Sequence, residues 1–143
     1  MTMPMTVVIY GETEAPRALL IAAARALGAN VTIALSTTLD VLRLLDVQPP
    51  PTLLLVAEDT GQGMTVAEDD PTRLLHDHVL RAARDRGIPA VMLGRWTRTG
   101  PVGGAPVVYD WGAAQRASVI LEVARVAREQ MAAWPVGPQR VAV

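Results

Sequence analysis

Five short aliphatic runs, most of them punctuated by Gly, Pro or an acid and the first four separated by stretches of helical spacing, constrain this chain more than any other feature. The runs are Thr6–Tyr10 (TVVIY), Val31–Leu35 (VTIAL), Leu53–Val56 (LLLV), Ile88–Leu93 (IPAVML) and Pro106–Tyr109 (PVVY). Between the first two lies Ala15–Leu27, with Pro16 near its first turn, Leu20, Ala24 and Leu27 on one face, and Gly28 as a stop. Thr38–Leu45 places Val41, Leu42 and Leu45 at helical spacing, and Pro49, Pro50 and Pro51 end it. Asp70-Pro71 is an N-cap followed by proline, and opens a helix to about Arg86 that is expected to bury Leu75, Val79 and Ala82. A last helix, about Ala113–Trp134, carries an apolar stripe of Val119, Val123, Val126, Ala127, Met131 and Trp134.

Alternation of this kind predicts an α/β fold, a doubly wound parallel sheet with helices on both faces. Leu53–Val56 has no polar alternation, as a strand buried on both sides requires. Five strands favour the flavodoxin-like order 2-1-3-4-5. The helix between strands four and five is missing, because Arg95–Gly104 holds Pro101 and three glycines. A parallel connection usually takes a dozen or more residues and a helix. An extended loop and a thinly covered sheet edge are therefore expected. The chain's 143 residues suit one domain, 1–134, followed by a mobile tail, 135–143, with two prolines.

Composition removes whole classes of chemistry. Without cysteine there are no disulfides, thiolate metal sites or cysteine nucleophiles. All thirteen basic residues are Arg, which excludes Schiff-base lysines and a phosphate-binding P-loop lysine. The net charge of -1 shows neither a nucleic-acid footprint nor a polybasic membrane anchor. The apolar run Val7–Tyr10 is too short for a signal peptide, so a cytoplasmic location with no nucleic-acid or membrane partner is expected.

In an open α/β sheet, ligands bind beyond the carboxyl ends of the strands. Glu12 and Glu14 follow the first run, Glu58 and Asp59 the third, and Asp110 the fifth. Two readings of these acids stand. They are solvated loop acids favoured by helix dipoles, or they form an acidic pocket whose oxygens suit Mg²⁺ or Mn²⁺, with Glu12 and Asp59 as metal ligands. No other cofactor is expected. His76 and His78 are two apart on a helix and cannot chelate one ion together; one surface and one partly buried histidine are expected. Ser36 and Ser118 lack the G-x-S-x-G of a nucleophile elbow. Gly61 and Gly63, and Gly100, Gly103 and Gly104, lack the strand–turn–helix setting of a dinucleotide fingerprint and read as flexible loops. The acidic turn Gly11–Glu14 would repel a docking phosphate. Trp96 and Trp111 are either interaction anchors or caps over the core where the missing helix would pack.

Over about Val7–Ala133 the layout resembles a response-regulator receiver domain of the CheY-like family. The similarity is carried by VVIYGETEAPRALLIAAARALGANVTIALS, by GIPAVMLG (Gly87–Gly94) and by GGAPVVYDW (Gly103–Trp111) before a long helix. The resemblance implies paired acids holding Mg²⁺, an acceptor Asp ending the third strand, a hydroxyl ending the fourth, and a switch aromatic and a Lys in the fifth. Here the acid pair falls on Gly11 and Glu12, the acceptor on Ala57, the hydroxyl on Gly94, the aromatic on Pro106 and the Lys on Tyr109. A one-residue slip in the third strand would put Glu58 in the acceptor place. The resemblance is thus to a degenerate receiver, or pseudo-receiver. It implies a non-catalytic, phosphorylation-independent signalling or scaffold module that binds a protein partner or self-associates. A small acidic-pocket enzyme or ligand-binding protein using Mg²⁺, and a true receiver phosphorylated at Asp59, are the alternatives.

Overall fold

The computed structural model describes residues 4–58, 71–95, 101–110 and 116–133. In chain order the elements are β1 (Thr6–Tyr10), α1 (Glu14–Ala26), β2 (Val31–Leu35), α2 (Thr38–Leu45), β3 (Leu53–Ala57), α3 (Pro71–Asp85), β4 (Ala90–Arg95), β5 (Val107–Asp110) and α4 (Arg116–Ala133). All five strands are parallel, in the order β2-β1-β3-β4-β5. This is the expected doubly wound sheet, and no helix stands between β4 and β5 among the described residues.

β3 is the middle strand, and every residue of it is buried, as its unbroken apolar run requires. Side chains alternate between the two faces. Val7, Ile9, Leu53, Leu55, Ala57, Val91, Leu93 and Val108 meet α1 and α4. Val8, Tyr10, Leu54, Val56, Ala90 and Met92 meet α2 and α3. Each fully buried Leu or Ile contributes about 2 kcal/mol by removal from water. β2 is an edge strand, and Val31, Thr32 and Ala34 on it are exposed.

Thr37 caps α2, its hydroxyl accepting from the Asp40 amide at 3.3 Å. Thr13 takes the same place before α1 without a side-chain cap bond. Leu20 and Ala24 of α1, Val41 and Leu45 of α2, and Val119, Val123 and Ala127 of α4 are buried as expected, whereas Leu27 and Leu42 are partly buried. α3 departs from expectation. Leu75 is 44% exposed, and His76 takes its place in the core at 0%. Val79 and Ala82 are buried as expected, and the buried face runs on through His76, Leu80 and Ala83, so that Leu75 alone departs from it.

The connection before β5 also differs from an open loop. Val102 and Ala105 exchange backbone hydrogen bonds of 3.1 and 2.8 Å around Gly103 and Gly104, both in the left-handed region. Val102 and Ala105 are each 6% exposed and belong to the core on the α2/α3 face. The flexible loop and bare edge expected here are, at residues 101–106, a packed turn.

Candidate functional site

The carboxyl ends of the strands form the edge where a ligand would meet this fold. At the end of β1, Tyr10 is 2% exposed and its ring stands edge-on to His76, with centroids 5.7 Å apart. The Tyr10 hydroxyl donates to Glu12 Oε1 at 3.1 Å. Burial, then the Glu12 charge and the hydrogen bond it accepts, push the phenol well above its ordinary range. Tyr10 is therefore a neutral donor that holds the Glu12 side chain, not a base.

Gly11 follows, buried at the turn into α1, with its amide donating to the Leu35 carbonyl at 3.1 Å. The Arg17 side chain folds back from α1, and its Nη1 donates to the Gly11 carbonyl at 2.6 Å. A Cβ on Gly11 would stand 2.7 Å from Arg17 Cγ. Arg17 was not among the residues singled out from sequence. The available signal is a glycine at a strand end, which marks close approach of another group.

The two alternatives for the third strand, Ala57 and Glu58, lie in different surroundings. Ala57 lies level with Leu93 and Val108, and its side chain is committed to the α1/α4 core. Glu58 comes one residue later, its amide donating to the Leu93 carbonyl at 2.8 Å. It therefore stands level with Gly94 and Tyr109, which pair with each other. Glu58 is only 7% exposed, an unusual burial for a carboxylate.

Among the described residues the other acids do not join it in a set of ligands. Glu12 and Glu14 are exposed, Glu14 in the first turn of α1. The Asp110 backbone ends β5. Asp59, Trp96 and Trp111 lie outside the described residues. Among the described residues no three of His, Asp and Glu come close enough to hold a metal ion. His76 is fully buried and His78 exposed, so the pair divides between core and surface. Pro106 precedes β5, and its carbonyl accepts from the Met92 amide at 3.0 Å.

A separate groove of about 530 Å³ runs between β5 and α4, lined by Val107, Tyr109, Ser118, Glu122, Arg125 and Val126 among others. Its charged rim is internally paired. Arg125 binds both Glu122 and Glu129 on the α4 surface, and the hydrogen bond from Arg125 lowers the Glu122 carboxyl below its ordinary range. Leu121 beside it is 65% exposed.

With this geometry in view, comparison with solved structures places the fold. The chain is similar to the response regulator domain of CheB from Thermotoga maritima, with a TM-score of 0.57 and 11% identity over 93% of this chain and 100% of that one. It is similar to a two-component transcriptional regulator, AraC, from Clostridium phytofermentans (TM-score 0.55, 13% identity, 87% and 92% covered). It also matches a CheY-like protein, tadZ, from Pseudomonas aeruginosa (TM-score 0.53, 14% identity, 85% and 98% covered). The fold is thus that of CheY-like receiver domains. No protein-family model matches the sequence. No curated protein matches it either. No helix among the described residues is long and apolar enough to cross a membrane.

Proposed function

We propose that this chain is a receiver-like signalling module that works without phosphoryl transfer, by docking a protein partner. One observation carries the reading, the row formed by Glu58, Gly94 and Tyr109 at the carboxyl ends of β3, β4 and β5. Phosphoryl transfer depends on positioned charge: a metal, an acceptor carboxylate, and a cation on the phosphoryl oxygens. In this row the hydroxyl place is a glycine and the cation place a tyrosine, and the chain holds no lysine to substitute. Glu58 can supply at most one negative charge, where a phosphorylated side chain carries about -1.5 to -2. The domain is then held in a single signalling state by its sequence, and the partner meets the groove between β5 and α4.

Two measurements test this. The protein incubated with acetyl phosphate and Mg²⁺ is expected to keep its intact mass; a phosphoryl increment on Asp59 or any other residue overturns the reading. A partner co-purified from the source cells and identified by mass spectrometry is expected to lose affinity for the Glu58→Ala variant. Undiminished binding would show that Glu58 does not set the state.

A further inference from the structure

We infer that Arg17 is the resident cation of the strand-end edge, seated where the acid pair of a receiver would hold a divalent ion, so that this edge takes no divalent metal. The inference deepens the proposed function and rests on its receiver-like reading for the place of the acid pair. Its first support is steric. Among the described residues the glycines with left-handed backbone are Gly28, Gly87, Gly103 and Gly104; Gly11 is not one of them. Its backbone therefore does not require glycine, and the reason for glycine must be space. The Cβ of any other residue would stand 2.7 Å from Arg17 Cγ, while the next neighbour, Ala57 Cβ, lies at an ordinary 3.5 Å. Relief of that clash needs a different χ1 rotamer of Arg17, which would give up its bond to the Gly11 carbonyl. With Arg17 seated as it is, position 11 has no room for a side chain.

The second support is chemical. Arg17 Nη1 donates to the Gly11 carbonyl at 2.6 Å, so a backbone oxygen at the end of β1 already serves a cation. A guanidinium keeps its charge throughout the physiological range. Mg²⁺ demands near-octahedral oxygen ligands and is usually held by one or two carboxylates. Position 11 offers no side-chain oxygen, and Glu12 accepts from the Tyr10 hydroxyl at 3.1 Å. The donor set does not fit the ion that the resemblance implies. A covalently attached charge stands in its place, anchored by the first turn of α1, where the Arg17 amide donates to the Thr13 carbonyl.

The test is made on the full chain by amide NMR with Mn²⁺ as the probe. The unmodified protein is expected to show no localised broadening at residues 11, 12 and 58. The double variant Gly11→Asp, Arg17→Ala, which exchanges the guanidinium for a second carboxylate beside Glu12, is expected to show saturable broadening at 11 and 12. In thermal melts, Gly11→Ala is expected to lower Tm by roughly 5 °C when Arg17 is present, and by about 1 °C or less in an Arg17→Ala background. Localised broadening in the unmodified protein, a silent double variant, or an equal Tm loss in both backgrounds overturns the inference. The acetyl phosphate experiment fails or succeeds independently. A phosphoryl increment there removes the proposed function, while the Mn²⁺ result alone decides the role of Arg17.

Discussion

The two faces of the sheet are covered by unequal means. On one, α1 and α4, of thirteen and eighteen residues, lie over the strands and touch each other, with Arg128 of α4 donating to the Ala26 carbonyl that ends α1 at 3.1 Å. On the other, α2 lies over β1 and β2 and α3 over β3 and β4, and the turn around Gly103 and Gly104 packs beside α3 to complete the cover. Two small apolar side chains, Val102 and Ala105, and two reciprocal backbone bonds extend there the cover that α3 supplies. A sheet face needs apolar atoms over it and satisfied backbone groups above those atoms. A helix is the common way to supply both, but a glycine turn suffices when it can approach closely. The face completed by the turn then depends in part on backbone conformation, and the face of α1 and α4 on side-chain volume.

Substitutions on each face sharpen that contrast. Leu20→Ala removes a fully buried side chain between α1 and the sheet and is expected to cost about 3–4 kcal/mol in urea unfolding. Gly103→Ala adds only a methyl group, yet is expected to cost about 2–3 kcal/mol. Its φ of +56° disfavours any side chain, and the new Cβ would stand 2.8 Å from Leu80 Cβ and 2.9 Å from the Asp77 carbonyl oxygen. Hydrogen exchange in that variant should quicken in β5 while α1 keeps its protection; a neutral Gly103→Ala would mean that the turn is not a packed cover. The smallest effect concerns the exposed ion pair that joins the ends of α2 and α3, Arg86 Nε to Asp46 Oδ1 at 2.6 Å. The hydrogen bond from Arg86 holds the Asp46 carboxyl below its ordinary value. A lowered folded-state pKa contributes stability above the unfolded value, near 3.9, and that contribution is lost as pH falls through the folded one. Solvent exposure keeps the contribution small. NMR titration should show the Asp46 carboxyl returning toward its ordinary value in Arg86→Gln, and an unchanged titration would remove Arg86 as the cause.

Much of the fold was legible because punctuation and period agree locally. TVVIY, VTIAL and the α2 segment begin and end where the sequence places them. The face of α3 was legible only in part. Val79 and Ala82 are buried as read, but the sequence does not say which histidine turns inward, and it is His76, buried against the ring of Tyr10, a partner 66 residues earlier in the chain, while Leu75 is exposed. The acids were found at the strand ends where topology puts them, yet sequence does not show that Glu58 is buried and Glu12 is not. Arg17 was missed for a related reason. Its meeting with Gly11 depends on how α1 sits over the end of β1, and no spacing rule carries that information.

The side of the sheet on which α4 lies has a consequence for β5. α1 returns the chain toward β2 across one face, and α2 and α3 advance it toward β5 across the other, so all three crossovers share one hand. α4 follows β5 but lies on the face of α1. A parallel strand laid outside β5 by chain continuing from α4 would close a crossover of the opposite hand, which occurs in about 2% of such connections. Among the described residues β5 pairs with β4 alone. Chirality thus disfavours a sixth parallel strand on the outer edge of β5, beside the groove, from chain that follows α4.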